Sequence, residues 1–195
     1  HVMVKKIEYF DRAQSERWCG RDRLNIARMV NDIADMHERN VLLLKLIQQE
    51  IQEGRRMIVL SERLAHLGTL ECMLHIWIKE NNVQGVTDGW YVGGMTAAKR
   101  EASQDCTVIW ATYSMASEAY DNPGLNSVVL ATPKCNVEQS VGRILRGDER
   151  TMAPKIVDVA DMYSIFEKYA VTRTKLYERN KYAVTNEGVH QDSRG

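Results

Sequence analysis

The residues of this chain best spaced to do chemistry lie between 136 and 146, in Asn-Val-Glu-Gln-Ser-Val-Gly-Arg-Ile-Leu-Arg. At helical spacing Gln139, Gly142, Arg143 and Arg146 line one side, while Val141, Ile144 and Leu145 fall at i, i+3 and i+4 and form an apolar stripe. Two guanidinium groups one turn apart, beside an amide, suit a planar polyanion such as a nucleoside triphosphate, which they can grip bidentately. A glycine inside a helix costs about 1 kcal/mol relative to alanine, so Gly142 implies a close approach to the backbone. Asn136 is expected as the N-cap, with Gln139 reaching back from the third helical position. An ordinary solvated arginine face is the competing reading.

The elements that would position this helix follow from periodicity. Residues 2–9 read as a strand or extended lead-in. Between 24 and 53 apolar residues recur at helical spacing with a break near Asn40, and Gly54 is a plausible stop. Residues 57–60 form a short continuous apolar run, as in a strand buried on both faces of a parallel sheet. A helix carrying Leu67, Leu70, Leu74, Trp77 and Ile78 follows. Further strands are predicted at 90–92, 107–111, 127–131 and 155–159, with a helix over 97–104 capped by Thr96. Strands alternating with helices predict an α/β fold with a mainly parallel sheet flanked by helices. In such sheets ligands gather at the carboxyl ends of the strands. Ser61 to Arg63, Gly93-Gly94, Thr112, Thr132-Pro133 and Asp158 to Asp161 are candidates for that edge.

The last helix, over 163–182, is locally basic through Lys168, Arg173, Lys175, Arg179 and Lys181, which reads as a solvated face ahead of a phosphate-tracking one. Residues 186–195 are polar and expected to be disordered.

Composition sets bounds. The chain has 195 residues, and Lys+Arg and Asp+Glu balance at 26 each, so no bulk positive field announces nucleic acid. The four cysteines show no Cys-x-x-Cys spacing and the histidines no helical pairing with them, so no metal site is expected. No secretory or bilayer-spanning segment is read, which points away from membranes and toward a reducing intracellular compartment. The first residue is His1, which reads as a fragment of something longer.

Four stretches carry a resemblance. Gln139-Ser-Val-Gly142-Arg143-Ile-Leu-Arg146 resembles the Gln-x-x-Gly-Arg-x-x-Arg signature of superfamily 2 helicases, found in the second of their two RecA-like domains. Ile58-Val-Leu-Ser61-Glu62-Arg63 resembles the motif after the first strand of that domain, near bound nucleic acid. Tyr91-Val-Gly93-Gly94-Met95-Thr96 is similar to the Gly-Gly-Met segment after the next strand in several viral and bacterial members. The stretch 111–123 resembles the motif in which a threonine meets a nucleic-acid phosphate and a Gly-x-Asp element meets the nucleotide. Thr112 and Asp121 match it and Glu118 keeps its place, whereas Ala119 stands where the family usually has glycine. Taken without the family, Ser61 is a plain N-cap, Gly93-Gly94 a tight turn and Asp121 a turn residue before Pro123. Arg146-Gly147-Asp148, the adhesion tripeptide, is read as chance.

The resemblance covers about residues 57–158 and implies a three-layer RecA-like domain. It divides the chain into a lead-in strand and helices (1–54), the domain core with its terminal helix (55–185) and a tail (186–195). It implies catalytic roles for Arg143, Arg146 and Gln139, nucleotide contacts by Gly142, Asp121 and Glu118, and nucleic-acid contacts by Ser61, Arg63, Gly93, Gly94 and Thr112. The chain has no Gly-x-x-x-x-Gly-Lys-Ser/Thr loop and no Asp-Glu metal motif after a strand. ATP phosphates and Mg2+ would therefore be held by an N-terminal RecA-like domain outside this sequence, with single-stranded or duplex nucleic acid as the other partner. The closest look is to the compact helicases of large DNA viruses, of the poxvirus and asfarvirus type used in transcription, which would place the protein in host cytoplasm or virion. Two alternatives stand beside this one: a degenerate RecA-like module that binds nucleic acid or protein without catalysis, and an unrelated α/β enzyme complete in itself.

Overall fold

Met-Ile-Val-Leu-Ser at 57–61 and Lys-Ile-Val-Asp-Val-Ala-Asp at 155–161 have no residue left at the surface in the computed structural model, which describes residues 1–18, 25–119, 122–145 and 152–191. Both are strands with a neighbour on either side and helices on both faces. The described elements run β1 (Met3–Asp11), α1 (Arg12–Trp18), α2 (Ile26–Ala34), α3 (His37–Gln52), β2 (Met57–Ser61), α4 (Leu64–Glu80), β3 (Asp88–Tyr91), α5 (Ala97–Ala102), β4 (Val108–Thr112), α6 (Tyr113–Ala119), β5 (Ser127–Leu130), α7 (Glu138–Ile144), β6 (Lys155–Asp161), α8 (Ser164–Arg179) and β7 (Ala183–Gln191). Among the described residues these make one seven-stranded sheet in the order β3-β4-β2-β5-β6-β1-β7, with every recorded pairing parallel.

The period of two along each strand divides the core into two layers. Met57, Val59, Val108, Trp110, Val129, Val157 and Val159 face a layer built with α2, α3 and α4, including Met29, Ile33, Leu43, Ile47, Leu67, Leu70 and Leu74. Ile58, Leu60, Ile109, Ala111, Val128, Leu130 and Ile156 face the other layer, with Ala116 of α6 and Val141 and Ile144 of α7. Fully burying one such aliphatic side chain is worth about 1.5–3 kcal/mol, so the alternation commits the register. The expected α/β architecture with flanking helices is what forms.

Several boundaries differ from expectation. The helical stretch over 24–53 breaks at Asp35 and Met36 rather than at Asn40, whose side-chain amide instead donates to Ala34 O at 2.8 Å across the break. Of the tail expected to be disordered, 186–191 belong instead to β7, in register with β1 from Met3↔Ala183 to Asp11↔Gln191, and 192–195 lie outside the described residues. The side chains of 183–188 are all exposed or half-exposed, so main-chain bonds to the open edge of β1 hold this strand and no apolar pattern announces it. Among the described residues no helix is long and apolar enough to cross a membrane.

Candidate functional site

Parallel strands deliver their following turns to one edge of the sheet. Ser61, the last residue of β2, is paired with Thr112, the last of β4, and Ala111 is paired with Tyr91, the last of β3. The turns 61–63, 112–114 and 92–95 therefore leave adjacent strands side by side. With strands spaced about 4.8 Å, they span roughly 10 Å.

The three turns are built differently. Ser61 is fully buried, and its hydroxyl accepts the Arg63 amide at 3.0 Å and lies 3.1 Å from His66 Nδ1. Asn40 donates its amide to Ala34 O, so its oxygen must accept from His66 Nε2, 2.9 Å away. That leaves Nδ1 to accept the Ser61 hydroxyl proton, with a neutral imidazole. Burial, reinforced by the Arg39 guanidinium, lowers the His66 pKa to about 3, which keeps it neutral. The Arg63 guanidinium holds Asn31 Oδ1 at 2.5 Å and the Ala27 and Glu62 carbonyls at 3.2 Å. The Ser61 side chain is thus sealed inside, and that of Arg63 braces the turn against α2. The Glu62 amide donates to Thr132 Oγ1 at 2.9 Å, tying the same turn to the end of β5.

Gly93 and Gly94 are exposed, and a side chain at either would meet nothing within 4 Å. Gly94 has φ +80°, a conformation that favours glycine. Thr96 caps α5 by accepting the Lys99 amide at 3.4 Å. The Thr112 hydroxyl lies at the surface, 3.2 Å from Ser114 Oγ.

Beyond β4, α6 and α7 pack together. Ser117 Oγ lies 2.7 Å from Ser140 Oγ, which also donates to Tyr113 O at 3.4 Å. Val141, Ile144 and Leu145 are buried as their spacing predicts, and Gln139 is exposed. Asn136 Oδ1 takes the orphan amide of Glu138 at 3.0 Å, but Val137 is the N-cap residue, one place later than expected. A Cβ on Gly142 would meet nothing within 4 Å among the described residues, whose packing therefore does not require glycine there. Gln139 is thus exposed and Gly142 half-buried on the side of α7 away from its apolar stripe, and exposed Glu118 sits on the neighbouring helix. Arg146 and Asp121 lie outside the described residues, as does the Arg143 side chain.

Sequence reading missed the wiring beneath this edge. Arg39 is fully buried, pairs with Asp161 through Nε and Nη2 at 2.6 and 2.8 Å, and donates Nη1 to Ala131 O at 2.7 Å. Arg173, expected on a solvated basic face, is 2% exposed and grips Asp158 at 2.8 and 2.9 Å. Tyr177 donates its hydroxyl to the same carboxylate at 2.8 Å. Asp158 and Asp161 are therefore internal counter-ions, not ligand-facing residues. A signal was present: Asn40 and Glu50 fall on the same helical stripe as Leu43 and Ile47, where a polar residue must find a buried partner.

No protein-family model matches the chain. In Acanthamoeba polyphaga mimivirus a protein named "Putative ATP-dependent RNA helicase L396" is 33% identical over 162 residues, which is 82% of this chain; the chain spans 30% of that relative's length. The crystal structure of T4 UvsW superposes with a TM-score of 0.71 at 18% identity, covering 97% of this chain and 42% of UvsW. Domain 2 of the DEAD-box helicase Mss116p, solved on an RNA duplex, superposes with a TM-score of 0.62 at 11% identity, over 97% of this chain and 65% of that one. The seven-stranded parallel sheet with its flanking helices gives the chain the RecA-like fold of helicase domains, and over 82% of its length its sequence is similar to that of the mimivirus relative.

Proposed function

We propose that the chain is the C-terminal motor domain of an ATP-dependent nucleic-acid helicase or translocase, working against an N-terminal RecA-like domain that holds ATP and Mg2+. The observation that carries this reading is the juxtaposition at the sheet edge: three candidate strand-binding turns on adjacent strands, with α6 and α7 packed directly beyond the middle one. The side of α7 that carries exposed Gln139, with a glycine that no described neighbour demands, fits the approach of a triphosphate. Bound ATP supplies the γ-phosphoryl group whose transfer drives the cycle. Arg143 and Arg146 stabilise charge on that group from this side, a contribution worth about 10³ to 10⁵ in rate, and Gln139 orients beside them. Thr112 and the backbone at Gly93 and Gly94 hold sugar-phosphate, while Ser61 and Arg63 set the height of the neighbouring turn. Contacts of this kind read no bases, so binding is salt-dependent and tolerant of sequence. RNA is the proposed strand, following the name of the mimivirus relative.

The test is ATP hydrolysis by the longer native protein, with and without single-stranded RNA or DNA, in wild type and Arg143→Ala. Stimulation by a strand, reduced about 10³-fold or more in a folded variant, is the expected result. Full activity in Arg143→Ala removes the arginine from the chemistry. A folded wild type that binds strands but never hydrolyses ATP makes the domain a binding module, a reading that Ala119 in place of the family's glycine favours.

A further inference from the structure

On the flank of the sheet, at the opposite end of β3 from Gly93-Gly94, a cluster of side chains has no part in the proposed motor. Glu71 and His75 are one turn apart on α4 and project from the same face. Asp88 opens β3 beside them, and one ligand atom from each of the three residues lies within 4.8 Å of the others. His75 Nε2 is 2.9 Å from Asp88 Oδ1. Each carboxylate is held by an indole: Trp90 Nε1 donates to Glu71 Oε1 at 2.7 Å, and Trp110 Nε1 to Asp88 Oδ2 at 2.8 Å. Trp110 is fully buried, so its donor is fixed by the core. Asp88 Oδ1 and His75 Nε2 face each other at 2.9 Å and would exchange this contact for bonds to a shared ligand, while the indoles hold the far oxygens. The His75 side chain is 52% exposed and that of Asp88 17%, which leaves a path from solvent.

We propose that Glu71, His75 and Asp88 form a site for a divalent transition ion, Zn2+ above all, with water completing the coordination. The donor set decides the class of ion, because an imidazole with two carboxylates suits zinc, whereas Mg2+ and Ca2+ prefer oxygen alone. Bonds of about 2.0–2.2 Å bring tetrahedral donors to roughly 3.4 Å from one another. The His75–Asp88 distance already allows this, and a change of rotamer at half-exposed His75 closes the remaining gap to Glu71. The indole donors orient the carboxylates from behind, the arrangement that supports ligands at metal sites. The ion would clamp α4 to β3, the outermost strand of the sheet. Its position at the amino end of the strand gives it a structural role, away from the edge where ATP and nucleic acid are proposed. The proposal does not depend on helicase activity.

The test uses the chain stripped of metal with EDTA and titrated with ZnCl2 at neutral pH, followed by calorimetry, thermal unfolding and tryptophan fluorescence. One Zn2+ per chain, a higher Tm and a change in emission are expected, since Trp90 and Trp110 touch the ligands. His75→Ala and Glu71→Gln should each weaken binding at least tenfold with metal-free Tm near wild type, because both residues are at or near the surface. Trp90→Phe should weaken it about tenfold by freeing Glu71. Cys72→Ser, an exposed thiol beside the site, should bind as wild type does. No binding up to millimolar Zn2+, unchanged affinity in His75→Ala, or loss of binding in Cys72→Ser would each overturn the proposal and leave the cluster as surface hydrogen bonds.

Discussion

The turn after β2 and the turn after β3 leave the same edge of the sheet and carry equally suggestive sequences, yet they are built on opposite plans. In the first, the Ser61 hydroxyl is sealed under His66 and Asn40, and Arg63 is fastened to Asn31 and Ala27. The second offers exposed glycine backbone, with Val92 N lying 3.5 Å from Met95 Sδ as its internal tie. A motif can therefore mark a rigid support or an open contact, and the spacing of its residues does not say which. Rigidity in the first turn comes from buried polar groups that satisfy one another, which is costly to disturb because the partner left behind has no water to turn to. Openness in the second turn needs only glycine and the absence of neighbours.

The largest test of this contrast lies under the first turn. Asp161→Asn leaves the buried Arg39 guanidinium without its counter-charge and should destabilise the chain by about 3–5 kcal/mol, read by urea unfolding. A loss below about 1 kcal/mol would mean that the buried network does not brace the edge. Next comes pH. His66 is neutral in the fold with a pKa near 3, against 6.5 unperturbed, so the unfolded chain takes up its proton first as pH falls. Its stabilisation is complete above pH 6.5 and drains away toward pH 3, amounting to about 2 kcal/mol lost by pH 5. The unfolding midpoint should fall less between pH 7 and pH 5 in His66→Gln than in wild type, and an equal fall would remove His66 from the account. The smallest stability effects belong to the second turn. Gly94→Ala should cost about 1–2 kcal/mol from its positive φ, and Gly93→Ala less than about 0.5 kcal/mol. Both should weaken single-strand binding by the longer protein; unchanged binding in Gly93→Ala would show that no strand approaches that backbone.

Much of the architecture was legible. Continuous apolar runs at 57–60, 127–131 and 155–159 have one physical solution, a strand covered on both faces, and the stripe of Val141, Ile144 and Leu145 has one as well. Strand β7 was not, because its described side chains remain largely in water and main-chain hydrogen bonds to β1 hold it in place. Glu71 and His75 also passed unnoticed: a search for cysteines and paired histidines finds no site when the third ligand, Asp88, arrives from another element.

By itself the sequence determined the strand–helix alternation, the two-faced α7 and the family resemblance, since these are set by spacing along a single segment. Tertiary structure alone decided the partners of the buried charges. Arg39 and Asp161 are 122 residues apart, and Arg173 and Asp158 lie on a helix and a strand whose facing sides no local pattern reveals. A charge in the interior is tolerable only beside its counter-charge, and which carboxylate that will be is settled when the sheet order brings the two together.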